Sequence, residues 1–84
     1  MKISEMKNLG PKSTEMLARI AIHSKDELEK TGAVDSYLML KHQGFNVNLN
    51  TLYALESALL DIYSRHLSND IKQHLQAAIK APKL

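Results

Sequence analysis

The stretch best equipped for chemistry is Met6-Lys7-Asn8-Leu9-Gly10-Pro11-Lys12-Ser13-Thr14-Glu15-Met16-Leu17. Pro11 suits the first position of a helix, where its missing N–H would have no partner in any case. A tight turn ending at Gly10 and running straight into that helix leaves the backbone N–H groups near Gly10, Lys12 and Ser13 without intrahelical acceptors. Those amides and the positive end of the helix dipole suit a phosphate oxygen, and Lys12 and the Ser13 hydroxyl add charge and a donor. Lys7 and Arg19 add positive charge nearby, and Asn8 can adopt the left-handed backbone a tight turn demands. The phosphate-binding candidates are therefore Lys7, Asn8, Gly10, Lys12, Ser13 and Arg19. Gly10 is expected to hold a conformation, or a close approach, that a Cβ would obstruct. The alternative is an ordinary helix start, and Glu5 and Glu15 beside the turn weigh toward it.

Other chemistry finds little footing. His23, His42, His66 and His74 have neither HxxxH nor HExxH spacing, so no metal site is expected. Ser24 and Ser68 read as helix caps, and no GxSxG elbow presents a serine nucleophile. Asp26, Glu27 and Glu29 crowd a helix start, where the dipole stabilises them without any acid–base role. Tyr53 and Glu56, three apart, read as a tyrosine at the core edge whose hydroxyl reaches a partner, and a glutamate paired locally. No catalytic residue, cofactor or small-molecule substrate is expected, and the chain reads as a non-enzyme.

The elements that position these residues follow from punctuation at Gly10-Pro11, Gly32, Gly44 and Pro82. Helices are expected over about 11–21, 25–31, 34–43, 49–63 and 69–80, with 81–84 as a frayed tail. Ser24 with Glu27 forms a capping-box pattern, and Gly32 ends that helix. Val34, Tyr37, Leu38 and Lys41 share one face of the third helix. Asn48 can cap the fourth, with Val47 and Leu52 at the spacing of a hydrophobic staple. That helix is the most apolar and should lie at the centre. Leu17, Ile20, Leu38, Leu52, Leu55, Leu59 and Leu75 are expected inside.

With 84 residues the chain makes one domain, 1–84, all-α, of about five short helices. Hydrophobic content of 44% against 24% charged is globular in kind, and four aromatics with no Trp leave the packing to Leu, Ile, Met and Ala. The absence of cysteine removes disulfides, thiolate catalysis and cysteine-ligated zinc, and points to an intracellular home. No signal-peptide pattern or membrane-spanning run is present, so a cytoplasmic location is expected, with no membrane partner. The net charge of +2 is unevenly spread: the ends are basic, and residues 24–64 are acidic. Any nucleic-acid contact should therefore be local and salt-sensitive.

The run Asn8-Leu9-Gly10-Pro11-Lys12-Ser13 resembles the hairpin of a helix-hairpin-helix motif, with Leu9 as its apolar residue, Gly10 as its second glycine and Asn8 in place of the first. A similar asparagine-leucine-glycine turn occurs in the DNA-contacting C-terminal domain of the bacterial RNA polymerase alpha subunit. A longer resemblance adds Ile20-Ala21-Ile22-His23, the helix with Asp26, Glu27 and Leu28, then Thr31-Gly32-Ala33-Val34, and Leu52-Tyr53-Ala54-Leu55-Glu56-Ser57-Ala58-Leu59. Together these are similar to the C-terminal domain of the TfoX/Sxy competence-regulator family.

The resemblance implies an all-α fold with a helix-hairpin-helix-like unit and a bacterial, regulatory role in controlling DNA-uptake and competence genes. It implies double-stranded DNA, bound weakly and without sequence preference, or a transcription-complex protein as partner. A protein-interaction module with no nucleic-acid contact is the alternative function. The sequence leaves the oligomeric state open.

Overall fold

The computed structural model describes residues 1–80. The expected frayed tail, 81–84, lies outside the described residues. Five helices follow in order: α1 (Pro11–Ala18), α2 (Lys25–Thr31), α3 (Ala33–His42), α4 (Leu49–Leu59) and α5 (Asn69–Lys80). Single 3-10 turns lie at Ile3–Glu5 and Ser64–His66. Among the described residues there is no strand, and an isolated antiparallel bridge joins Lys2 to Ser24. The all-α expectation therefore holds. A full helix-hairpin-helix would have an α-helix on each side of its turn; here Ile3–Glu5 precedes the turn and α1 follows it.

The capping residues act largely as their types dictate. The Glu27 amide donates to Ser24 Oγ at 3.3 Å, while the Glu27 carboxylate accepts from the His23 amide at 2.9 Å. Asn48 Oδ1 accepts from the Thr51 amide at 3.2 Å, and Thr51 Oγ1 accepts in return from the Asn48 amide at 3.4 Å. Ser68 Oγ accepts from the Ile71 amide at 3.2 Å. Each bond pairs an amide that a helix start would otherwise leave exposed.

Two helices end earlier than the apolar pattern suggests. α1 stops at Ala18 and α4 at Leu59, where continuations to 21 and 63 are expected from sequence. Both chains turn out of the helix through a residue with positive φ, Ala21 at 62° and Asp61 at 57°. The Ile22 amide then reaches back to the Leu17 carbonyl at 2.9 Å, and the Ile62 amide to that of Ser57 at 3.0 Å. These six-to-one bonds, with Ala21 and Asp61 closing the inner ring, are Schellman terminations. α3 ends the same way through Gly44, with the Phe45 amide on the Leu40 carbonyl at 3.1 Å.

α4 packs against α2, α3 and α5, as its apolar character predicts. Leu17, Leu52, Leu55 and Leu75 are buried as expected, while Ile20, Leu38 and Leu59 are only half-buried. The buried face of α3 is Ala33, Ser36, Tyr37 and Leu40; of the residues the spacing puts on one face, Tyr37 is buried, Val34 and Leu38 are half-buried and Lys41 is exposed. The buried Ser36 hydroxyl donates to the Gly32 carbonyl at 2.6 Å. The non-α segments complete the core with Ile3, Met6, Leu9, Ile22 and Leu67, so loops contribute a large share of the packing.

Candidate anion-binding surface

The turn before α1 is fixed from outside itself. Asn8 has φ of 70°, the left-handed conformation its position in the turn calls for. Its Nδ2 donates to the Ile62 carbonyl at 2.8 Å and its Oδ1 accepts from the Ser64 amide at 3.0 Å. Both ends of the amide are thus tied to the segment after α4. Lys7 follows the same route: its Nζ donates to Asp61 Oδ1 at 3.0 Å and to the Asp61 carbonyl at 3.3 Å, and lies 5.7 Å from the Tyr63 ring centroid. The Asp61 carboxyl is held below its ordinary value of 3.8, first by the Lys7 hydrogen bond and then by that residue's charge.

Gly10 differs from expectation. Its backbone is extended, at φ −117° and ψ −163°, and a Cβ there would meet nothing within 4 Å. The left-handed residue of the turn is Asn8, so Gly10 need only be small enough to leave the helix start uncovered. Its carbonyl accepts from the Thr14 amide and the Thr14 hydroxyl, each at 2.9 Å. No side chain caps α1, and among the described residues the amides of Lys12 and Ser13 have no hydrogen-bond acceptor.

Lys12 and Ser13 open onto a cleft of about 310 Å³ whose opposite wall is the start of α4. Asn46, Asn48, Asn50 and Thr51 form that polar wall, and Leu9, Met16 and Leu55 contribute to an apolar base. Two helix N-termini therefore face one cleft, and among the described residues no carboxylate lines it. Arg19 sits at the other end of α1, about 10 Å along the helix axis from Lys12.

The six sequence-derived candidates thus divide by position. Lys12 and Ser13 line the cleft, Gly10 precedes them at the cap of α1, Lys7 and Asn8 bind the 61–64 segment, and Arg19 stands apart. Sequence reasoning missed Asn46, Asn50 and Thr51, for which the alternation Asn46-Val47-Asn48-Leu49-Asn50 is the available signal. Tyr53 is half-buried, with its hydroxyl accepting from Gln76 Nε2 at 2.6 Å, as its amphipathic side chain suggests. Glu56 forms no ion pair among the described residues. No grouping of His, Asp or Glu able to hold a metal ion occurs among the described residues, and no helix there is long and apolar enough to cross a membrane.

The model of the TfoX C-terminal domain matches residues 1–79. The chain belongs to the TfoX C-terminal domain family. This is a family of regulatory or binding domains. No curated protein matches the chain. Among solved structures, the TfoX C-terminal fold seen here is similar to an uncharacterized protein from Listeria monocytogenes in a triclinic crystal form, at 28% identity and a TM-score of 0.86, covering 90% of this chain and 86% of that one. A protein of unknown function from the same organism, in a tetragonal form, is similar at 28% identity and a TM-score of 0.83, covering 89% of this chain and 93% of that one.

Proposed function

We propose that this TfoX C-terminal domain is a non-enzymatic, cytoplasmic regulatory module that engages the sugar–phosphate backbone of DNA through the open start of α1, in the control of DNA-uptake genes. The observation that carries this reading is that, among the described residues, the amides at Lys12 and Ser13 have no acceptor and stand with the Lys12 ammonium on a cleft that no carboxylate lines. Amides and lysines at a helix start contact phosphate oxygens and not base edges, so binding would be independent of sequence. With a net charge of +2 the domain would bind weakly and lose affinity steeply as salt rises.

Fluorescence anisotropy of a labelled duplex at two low salt concentrations tests this. Wild type should bind, and Lys12→Ala should lower the slope of log affinity against log salt by about 0.9, equally for unrelated duplexes. No wild-type binding, or binding indifferent to Lys12→Ala, would move the protein-interaction reading into first place. That second reading has its own support in a groove of about 710 Å³ lined by Ile20, Leu38 and Met39 among others, with the Met39 side chain exposed. Lys30, Thr31, Asp35, His42 and Gln43 complete its lining, and an exposed, flexible methionine among apolar and polar neighbours suits a protein surface.

A further inference from the structure

A third depression, of about 270 Å³, lies between the start of α4, the 3-10 turn at Ser64–His66 and the start of α5. Asn50, Tyr53, Ser64, Arg65 and Lys72 line it. Asn50 also lines the Lys12 cleft, so the two depressions are neighbours on one surface. We infer that this cavity is a second phosphate site, in which Arg65 and Lys72 contact the anion and Tyr63 and Tyr53 hold those cations in position. Its assignment to a nucleic-acid backbone rests on the reading of the Lys12 cleft given above; its capacity to take a phosphate rests on the cavity's own residues.

Among the described residues the ion pairs are Lys7 with Asp61 and Lys25 with Glu29, so Arg65 and Lys72 face the cavity without a carboxylate partner. Two like charges converging on one depression repel each other, and an anion between them reverses the sign of that interaction. Each cation is located by a ring: the Arg65 guanidinium carbon lies 4.8 Å from the Tyr63 centroid, and Lys72 Nζ lies 5.4 Å from that of Tyr53. Such contacts restrict long side chains that would otherwise sample many rotamers, which lowers the entropy lost on binding. The Tyr53 hydroxyl accepts from Gln76 and keeps its own proton, which it can donate toward the cavity. Asn50 adds a neutral donor.

The same geometry selects phosphate over base. Tyr63, the more exposed ring, already carries Arg65 and Lys7 over it, and half-buried Tyr53 carries Lys72. Rings occupied by cations organise charge and are poorly placed to stack bases. The turn before α1 takes part indirectly, because Asn8 holds the Ser64 amide and Lys7 packs on Tyr63. Asn8 is thereby a positioning residue for this cavity, which gives the hairpin a role on both depressions.

The test combines two probes on the whole chain. Inorganic pyrophosphate, titrated into the 15N-labelled protein, should shift the Ser64, Arg65 and Lys72 amide resonances, and the double variant Arg65→Gln/Lys72→Gln should lose those shifts while melting like wild type. For a labelled duplex, the same double variant should lower the salt slope by about 0.9, the share of one phosphate, while Tyr63→Phe, which keeps the ring, should leave it unchanged. Pyrophosphate that leaves those amides unmoved overturns the cavity's assignment, as does a duplex slope that the double variant does not alter. A wild-type chain that binds no duplex while pyrophosphate still moves the three amides removes the DNA reading and upholds the anion site.

Discussion

The starts of α1 and α4 face the same cleft and are finished in opposite ways. At α4, Asn48 and Thr51 exchange side-chain bonds with each other's amides, so the helix supplies its own acceptors. At α1, Gly10 brings no side chain and the Lys12 and Ser13 amides are left open. Both ends carry the same dipole, and a side-chain cap is worth about 1 kcal/mol, so the open end forgoes stability that a single residue change could supply. The domain tolerates this because the approach to α1 is secured elsewhere, by Asn8 and Lys7 on residues 61–64. Securing the turn away from the helix start leaves that start free for a ligand.

The largest way to break this contrast is to cut the stitch. Asn8→Ala places a Cβ-bearing residue without a polar side chain at φ of 70° and removes two part-buried hydrogen bonds. The left-handed strain and the lost bonds together should destabilise the domain by about 2–4 kcal/mol. Asn8→Gly, which relieves the strain and loses only the bonds, should cost roughly half as much. Urea denaturation of the two variants beside wild type measures both figures. An Asn8→Ala midpoint equal to wild type would mean that the turn is held by something other than this amide.

A second pair of variants exchanges the two helix starts. Asn48→Ala should cost about 1 kcal/mol, the usual loss for a side-chain cap. Gly10→Asp should do the reverse, raising stability by about 0.5 kcal/mol, since nothing lies within 4 Å of a new Cβ and the carboxylate would reach the open amides. It should also weaken binding of duplex by filling the site with the chain's own anion. Thermal melts and anisotropy on the same preparations separate the outcomes. A Gly10→Asp variant that is both less stable and equally able to bind would show that α1's start is not the contact.

What the sequence made legible follows the same division between local and distant causes. Helix starts announced themselves through Ser24, Asn48, Ser68 and Pro11, because capping chemistry is carried by the residue at the cap itself. Helix ends were legible where glycine supplied the left-handed residue, at Gly32 and Gly44, and hidden where Ala21 and Asp61 supplied it. Ala carries no local signal for positive φ. Its conformation is imposed by burying Ile22 beside the end of α1, a tertiary demand. At the site, the open helix start and the left-handed Asn8 could be read from neighbours in sequence. The partnership of Lys7 with Asp61, 54 residues away, could not, nor could the placing of Arg65 and Lys72 together. Those depend on where the 60–68 segment crosses the turn, which no spacing rule encodes.

The smallest expected effect concerns the charge that the stitch withholds from the cleft. Asp61 has a carboxyl pKa below 3.8 because Lys7 donates to its ionised form. A carboxylate whose folded pKa lies below its unfolded one stabilises the fold at pH above the unfolded value. That stabilisation is lost as the pH falls through the folded value, which places the change below about pH 4. The pair is solvent-exposed, so its effect should be slight and should shrink further in salt. Asp61→Asn removes the charge while keeping a residue that accepts φ of 57°, so the backbone turn after α4 is spared. Urea midpoints followed from pH 6 down to 3 should fall less steeply for Asp61→Asn than for wild type, with the two curves converging at high salt. The substitution also leaves the Lys7 ammonium without its carboxylate partner, so duplex affinity should hold or rise. A fall in affinity would mean that Lys7 acts only through its bond to Asp61 in shaping the turn, with no charge to spare for the cleft.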